Sequence, residues 1–291
     1  MNNETSLLDS PGWGWKWPAP AKLNLMLRIT GRRSDGYHLL QTVFQIIDLC
    51  DWLKFHPHAS QITLKPAVPG VPNAENLIVR AAELLRKETG YTEGVCIDIE
   101  KNLPMGGGLG GGSSDAATTL VVLNKLWGLG LSTQRLMELG ISLGADVPIF
   151  IYGYTAWAEG IGEHLQKIVI PEKYFLIIRP DVHVNTKEVF LTEGLTRDSK
   201  SIKIDEFLAG QQQNDCLGVV RNKYPLVDEA LTELDRFGKA KLTGTGSCVF
   251  AQFDDKKSGQ KAYEAVEDGW QTYFVKGLSV SPLLQKLKQV G

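Results

Sequence analysis

The sequence predicts an α+β fold, on three observations. Strand-like and helix-like stretches are mixed without strict βαβ alternation. A run of glycines lies between a strand and a helix, at Gly106–Gly112. The 291 residues are 43% hydrophobic and 22% charged, the balance of a globular enzyme with room for one large domain or two of ordinary size.

In chain order, residues 1–14 read as a flexible leader. Apolar and β-branched residues dominate Leu23–Thr30 and Thr42–Phe55, as in strands. The link between them holds Gly31 and Gly36 and reads as a turn or loop. A short strand is predicted at Gln61–Lys65. Helical spacing of Leu77, Ile78, Ala81, Leu84 and Leu85 predicts a helix over Glu75–Thr89, ended by Gly90. Val95, Ile97 and Ile99 alternate within Gly94–Glu100, which predicts a half-buried strand. After the glycines a helix starts near Ser113. A second follows over Ser132–Leu143, and a third begins near Asp146–Pro148, where Pro148 suits a first turn.

The strand Tyr174–Arg179 opens a second half. Helices are predicted near 186–193, 203–209, 225–236 and 257–267. Strands are predicted at Lys239–Leu242, Cys248–Phe253 and 271–277. A domain boundary is placed near 165, giving 1–165 and 166–291.

The formal net charge of −2 favours neither nucleic acid nor an anionic membrane. Local groups must therefore hold any anionic substrate. No apolar run approaches the roughly 18 residues of a membrane span, and the first residues lack the pattern of a signal peptide. Cys50, Cys96, Cys216 and Cys248 are scattered and read as reduced, small hydrophobes, so a cytoplasmic, reducing location is expected.

The segment MGGGLGGGSSDAA carries the chemistry. Six glycines in seven positions remove side chains from the path of an approaching ligand. Backbone N–H groups of such a loop, and of the helix start behind it, can hold phosphate oxygens. No lysine follows the glycines, so a Walker A loop fails. Gly106, Gly108 and Gly111 satisfy a dinucleotide fingerprint, but the second strand and acidic residue it needs are missing from the following helix–turn–helix text.

A third reading comes from resemblance. PMGGGLGGGSSDAA resembles the nucleotide-binding motif of the GHMP kinase superfamily. PAPAKLNLMLRITGRRSDGYH is similar to its N-terminal motif, and KLTGTGSCVFAQF to its C-terminal glycine-rich motif. LGADVPIF and AEGIGE also match, so the likeness runs from about Trp17 to Pro282. It implies a two-domain fold with the active site in the cleft between domains. It further implies phosphoryl transfer from ATP, with Mg2+, to an alcohol. The form of the first motif is that of the branch whose small-molecule substrate carries a cytidine diphosphate head. That branch serves the non-mevalonate route to isoprenoid precursors. A monomer or homodimer is expected, with no nucleic acid or membrane partner.

Read alone, Asp146 suits a helix N-cap and Lys22 a solvated strand end. The resemblance makes them the catalytic pair. Asp146 would take the proton of the acceptor hydroxyl, and Lys22 would stabilise developing charge. Asn24 shares a strand face with Lys22 and resembles a substrate-positioning amide. Tyr37 and His38 match the cytidine readers, a ring to stack and an imidazole to hydrogen-bond the base edge. Thr186 and Phe190 are assigned beside them, with Phe190 as the opposite stacking face. Asn76 and Leu77 would border adenine. Pro104, Gly106, Gly107, Gly108, Leu109, Gly110, Gly111, Gly112, Ser113 and Ser114 would cradle the phosphates. Gly244, Gly246 and Ser247 would contact substrate or close the cleft. His56, His58, His164 and His183 show no metal-ligand spacing and read as surface or core residues. Ser114 and Asp115 are the candidates for holding the metal, whose protein ligand the sequence does not specify.

Besides an NAD-dependent dehydrogenase, disfavoured by the missing acidic strand end, two rivals stand beside this reading. One is a kinase of the same fold acting on homoserine or mevalonate, which have no base to stack. The other is a catalytically silent metabolite-binding regulator, against which the intact Lys22 and Asp146 speak.

Overall fold

A computed structural model describes residues 11–34 and 36–290. The first ten residues of the expected leader lie outside the described residues. Residues 11–14 form a docked turn, not a flexible leader. Trp13 and Trp17 are buried, the Trp17 indole donates to Gly12 O (3.1 Å), and Gly14 N–H donates to Phe55 O (2.8 Å). Two large aromatic side chains bury enough apolar surface to hold this short segment.

The spine is a pair of long antiparallel strands, β1 (Trp17–Arg32) and β2 (His38–His58). Their length comes from text rich in apolar and β-branched residues on both sides of one turn. Bulges after Pro20, Asn24 and Ile29 bend β1 without ending the pairing. β2 also pairs with β4 (Gly94–Glu100), with β5 (Ala156–Gly160) and, near its middle, with β10 (Gln271–Leu278). β3 (Ile62–Lys65) runs parallel to β4, and β6 (His164–Lys167) pairs with β5. β10 continues through β7 (Tyr174–Arg179) and β9 (Val249–Phe253) to β8 (Lys241–Leu242). Among the described residues this makes one mixed sheet of ten strands, largely antiparallel.

Helices α1 (Leu77–Thr89), α2 (Gly111–Leu126), α3 (Thr133–Ile141) and α4 (Val147–Tyr152) cover the first half. Asn76 caps α1 by accepting from Ile78 N–H (3.0 Å). α2 is buried continuously from Ser114 to Leu123, so it packs on the sheet and on its helical neighbours at once. The second half adds α5 (Thr186–Leu191), α6 (Ile204–Leu208), α7 (Leu217–Lys223), α8 (Pro225–Asp235), α9 (Lys256–Val266) and α10 (Pro282–Leu287). β5, β6, α7 and α10 were not foreseen from the sequence; each is short, and β5 exists by pairing with β2 and β6 by pairing with β5.

The two halves interlock. Trp17 and Ala19 of β1 belong to the first-half core, whereas Leu27 and Ile29 pack with Leu176, Val227 and Leu231 of the second. The chain end returns, placing Leu283 of α10 in the first-half core. We propose 1–165 and 166–291 as the two domains, with β6 running across the boundary and β1 serving both. Burial pushes the Cys50, Cys216 and Cys248 thiols up to about 12, and all four cysteines are free.

Candidate active site

The site forms where the middle of β1, the glycine loop, the start of α4 and the Thr243–Ser247 loop meet. Lys22 is buried on the β1 strand, with a 3% exposed side chain. Its ammonium donates to Asn24 Oδ1 (2.6 Å) and to Gly108 O (3.0 Å), and lies 3.2 Å from Asp146 Oδ2. Period-two alternation places Lys22 and Asn24 on one face. Asp146 occupies the N-cap position of α4, yet its side chain makes no capping hydrogen bond. The carboxylate is instead turned toward Lys22 and is 37% exposed, open to a ligand.

Asn24 is held from both ends. Its Nδ2 donates to Thr42 Oγ1 (2.9 Å), and that hydroxyl donates onward to Met26 O (2.6 Å). The Thr42 proton is therefore spent, and the amide faces Lys22 with its carbonyl oxygen. The expected substrate contact at Asn24 gives way to a different first task, the orientation of Lys22. Asn24 N–H also donates to Thr243 Oγ1 (3.0 Å), which reaches Gly108 O at 3.4 Å. Thr243 thus ties β1, the glycine loop and the second-half loop together. It sits inside the motif KLTGTGS, but glycines drew the assignment to their own positions.

Close packing within the protein explains much of the glycine content. A Cβ on Gly108 would lie 2.5 Å from Thr243 O, and the residue has φ +77°. A Cβ on Gly107 would lie 2.5 Å from Cys248 Sγ, and Cys248 N–H donates to Gly107 O (3.1 Å). Gly110, also at φ +77°, faces the Phe150 ring and forms the N-cap of α2. The glycines thus let two loops from different halves meet. What they leave open is a cleft of about 550 Å3, within the range of small-ligand sites.

Gly106–Gly112, Ser113 and Asp146 line one wall of that cleft. Val68, Val71, Asn76, Leu77, Pro104 and Met105 line the other end, an apolar slot suited to a base. Thr186 and Gly246 lie on the facing wall, and Thr186 Oγ1 is 2.9 Å from Thr245 Oγ1. His183, read from sequence as surface or core, also lines the cleft opposite Gly106. Its sequence neighbourhood gave no signal, because only the fold brings residues 183 and 106 together.

Two assigned hydroxyls face elsewhere. Ser114 is fully buried and donates to Pro20 O (2.6 Å), so its hydroxyl pins α2 to β1 rather than meeting phosphate. Ser247 is buried, with its hydroxyl 3.5 Å from Pro180 O, and backs the cleft instead of touching a ligand. The two serines therefore separate by experiment. Ser113→Ala is expected to lower kcat/KM for ATP by roughly tenfold, since a hydrogen bond to a charged group contributes about 1.5–3 kcal/mol. Its melting temperature should hold. Ser114→Ala leaves a buried carbonyl unpaired and should lower the melting temperature with little change in KM. Wild-type kinetics for Ser113→Ala would leave phosphate binding to the backbone N–H groups.

Asp115 belongs to a buried cluster. Lys101 Nζ bridges Asp115 Oδ2 (2.8 Å) and Asp51 Oδ2, while Asp51 Oδ1 accepts from Asn102 and Leu103 N–H (2.6 and 2.8 Å). Burial pushes the Asp115 carboxyl up to about 7, against the pull of Lys101 and with Asp51 adding to the rise. This cluster fixes the chain entering the glycine loop.

Tyr37 and His38 sit at the start of β2, away from the glycine loop in sequence. The His38 ring stacks on Phe190, with centroids 4.8 Å apart and planes at 19°. Phe190 therefore meets His38, not a separate face opposite Tyr37, whose side chain is exposed; none of the three lines the glycine-loop cleft. Burial, then Arg197 and Arg32, lower the His38 pKa, which favours the neutral ring. Its Nε2 is buried and has no hydrogen-bond partner in the protein.

A glycine-lined cleft with a lysine–aspartate pair at its inner end defines a small-molecule phosphotransferase. The family models described as GHMP kinases N terminal domain and GHMP kinases C terminal match residues 76–154 and 197–272. The chain belongs to the GHMP kinase family. Within that family it is 52% identical over 98% of both chains to a 4-diphosphocytidyl-2-C-methyl-D-erythritol kinase of Methylococcus capsulatus. It is 54% identical to the Nitrosococcus oceani protein of the same name, over 93% of this chain and 97% of that one. A crystal structure of 4-(cytidine 5'-diphospho)-2C-methyl-D-erythritol kinase superposes with a TM-score of 0.79 at 31% identity, covering 90% of this chain and 99% of the other. A mevalonate kinase structure shares the fold at a TM-score of 0.67 and 16% identity, over 90% of this chain and 99% of that one.

Proposed function

We propose that this chain transfers the γ-phosphoryl group of ATP to the 2-hydroxyl of 4-diphosphocytidyl-2-C-methyl-D-erythritol, in the non-mevalonate route to isoprenoid precursors. The observation that carries the chemistry is the Lys22–Asp146 pair, 3.2 Å apart beside the glycine loop. The acceptor oxygen forms a bond to the γ-phosphorus, the bond from that phosphorus to the bridging oxygen breaks, and ADP leaves. Asp146 accepts the hydroxyl proton and aligns the oxygen. Lys22, fixed by Asn24 and Gly108 O, places a positive charge where negative charge develops. The apolar slot around Leu77 and Met105 takes adenine, and backbone N–H groups of the loop take the phosphates.

Magnesium supplies charge neutralisation when it arrives with ATP. Of the residues offered for it from sequence, Ser114 is spent on Pro20 O, whereas Asp115 gives only Oδ2 to Lys101 and lines the cleft with its Oδ1 buried and unpartnered, an oxygen that would help hold the ion. No step is assigned to the ion. The proposal places the protein in the cytoplasm; among the described residues no helix is long and apolar enough to cross a membrane.

For the cytidine head, a neutral His38 with an unpaired ring nitrogen supports base-edge recognition, with Phe190 and Tyr37 as adjacent rings. Such contacts lie far from the reacting hydroxyl and serve binding and orientation. Wild type should release ADP with the cytidine substrate and not with homoserine or mevalonate. It should also discriminate strongly against the uridine analogue, whose base edge swaps a donor for an acceptor. His38→Ala should raise KM for the cytidine substrate, compress the cytidine-to-uridine ratio, and leave ATP binding alone. An unchanged ratio would remove His38 as the base reader, and turnover of mevalonate or homoserine would move the enzyme to another branch of the family.

A further inference from the structure

A second cavity lies beside the Thr243–Ser247 loop. It has a volume of about 290 Å3 and shares no lining residue with the nucleotide cleft. Leu25 of β1, Gln212, Leu217 at the start of α7, and Lys239, Lys241 and Leu242 at β8 enclose it. Leu25, the extra residue of the bulge after Asn24, belongs to the same core cluster as Ala21 and Leu23, so the cavity sits on the reverse side of the strand that carries Lys22.

Lys241 is the unusual member. Its ammonium reaches two neutral acceptors, Gln212 Oε1 and Gln252 Oε1 (3.4 Å). Among the described residues no carboxylate pairs with it or with Lys239; the acid that lines the cavity, Asp215, spends its Oδ2 on Ile29 N–H (2.7 Å). A half-buried ammonium without an anion carries an unrepaid desolvation cost. Burial, then Lys239, push Lys241 down to about 8. Lysines that serve only as surface charge lie in water or beside acids, as Lys223 does with Glu188. The mechanism uses neither Lys239 nor Lys241.

The space beside these charges is open. A Cβ on Gly218, the second residue of α7, would meet nothing within 4 Å. The wall also speaks to catalysis: Asn214 lines the cavity and donates both to Leu242 O and to Gly244 O (2.9 Å each), the residues flanking Thr243. Thr243 in turn holds Asn24.

We propose that this cavity is a binding site for a small phosphate monoester, with the phosphate between Lys241 and Lys239 and a short organic body against Leu25, Leu217 and Leu242. Two cations match a dianion, the amide of Gln212 offers a further donor once Lys241 turns to the ligand, and the leucines reward an apolar body that inorganic phosphate lacks.

The test uses the full chain with the nucleotide cleft saturated by a non-hydrolysable ATP analogue, titrated with n-butyl phosphate by calorimetry and by 31P NMR. One saturable equivalent is expected. Lys241→Gln should weaken it by on the order of tenfold or more, as loss of a charge-assisted contact does. Gly218→Met, which fills the open space, should weaken it without altering charge. Both variants should keep the wild-type kcat and KM measured without the ester, which also shows that they fold. Absence of saturable binding up to millimolar ester would overturn the site. So would affinity unchanged in both variants, because binding would then lie elsewhere. Inorganic phosphate binding as tightly as the ester would overturn the assignment to an organic monoester.

Discussion

Asp146→Asn is expected to lower kcat by roughly 10²–10⁴, the usual contribution of a positioned general base, with KM for both substrates little changed. The substitution keeps the shape of the side chain and removes its ability to take a proton. The structure makes this test cleaner than the sequence did. An aspartate at the N-cap position of α4 would ordinarily be suspected of holding the helix, and its loss of destabilising the fold. Here the carboxylate caps nothing and faces Lys22 at 3.2 Å. Asp146→Ala should therefore keep the wild-type melting temperature while losing activity as deeply as Asp146→Asn. A fall in melting temperature together with near-normal turnover would mean that Asp146 serves the helix and not the reaction.

Lys22→Met should lower kcat by about 10²–10³, the range seen when one pre-organised donor to developing charge is removed. Three partners lose at once: the Asp146 carboxylate, Asn24 Oδ1 and Gly108 O. Because Gly108 belongs to the glycine loop, ATP affinity should fall as well, which separates this variant from Asp146→Asn. Lys22→Arg should not restore activity. The ammonium stem is enclosed, with a Cβ on Gly110 only 3.3 Å from Lys22 Cε, and the larger planar guanidinium has no room to reproduce its three contacts. Rapid-quench measurement of the chemical step would decide the matter. A rate within about threefold of wild type, less than 1 kcal/mol of barrier, would remove Lys22 from the transition state.

Thr42 and Thr243 follow from the same geometry as positioning residues. One orients the Asn24 amide, the other anchors its backbone, and neither needs to touch substrate. Sequence reading passed over both because threonine in strand or loop text carries no distinctive signal. Their roles arise from partners distant in sequence, Asn24 with Thr243 above all, and only the fold sets that pairing.

Ser113 and Ser114 make the same point more sharply. They are adjacent, of one residue type, at the start of one helix. Successive residues on a helix point about 100° apart, so one hydroxyl lines the cleft and the other is buried against Pro20. The sequence located the helix start within two residues but could not rotate it. The glycines were also read with the right location and an incomplete reason. Close approach was foreseen, but for Gly107 and Gly108 the nearest neighbours are Cys248 and Thr243 of the second half.

The amino-acid sequence by itself determined the α+β class and the strands Gly94–Glu100 and Tyr174–Arg179 to the residue. Those features depend on local periodicity, caps and turn chemistry, which act over a few neighbouring residues. Tertiary structure alone decided that β1 serves both cores, that Asp146 leaves its helix uncapped, that Phe190 stacks on His38, and that Lys241 lies beside a cavity without pairing with any acid among the described residues. Each of these depends on which atoms from distant parts of the chain compete for one partner or one volume. Packing and hydrogen-bond satisfaction settle that competition over the whole molecule at once.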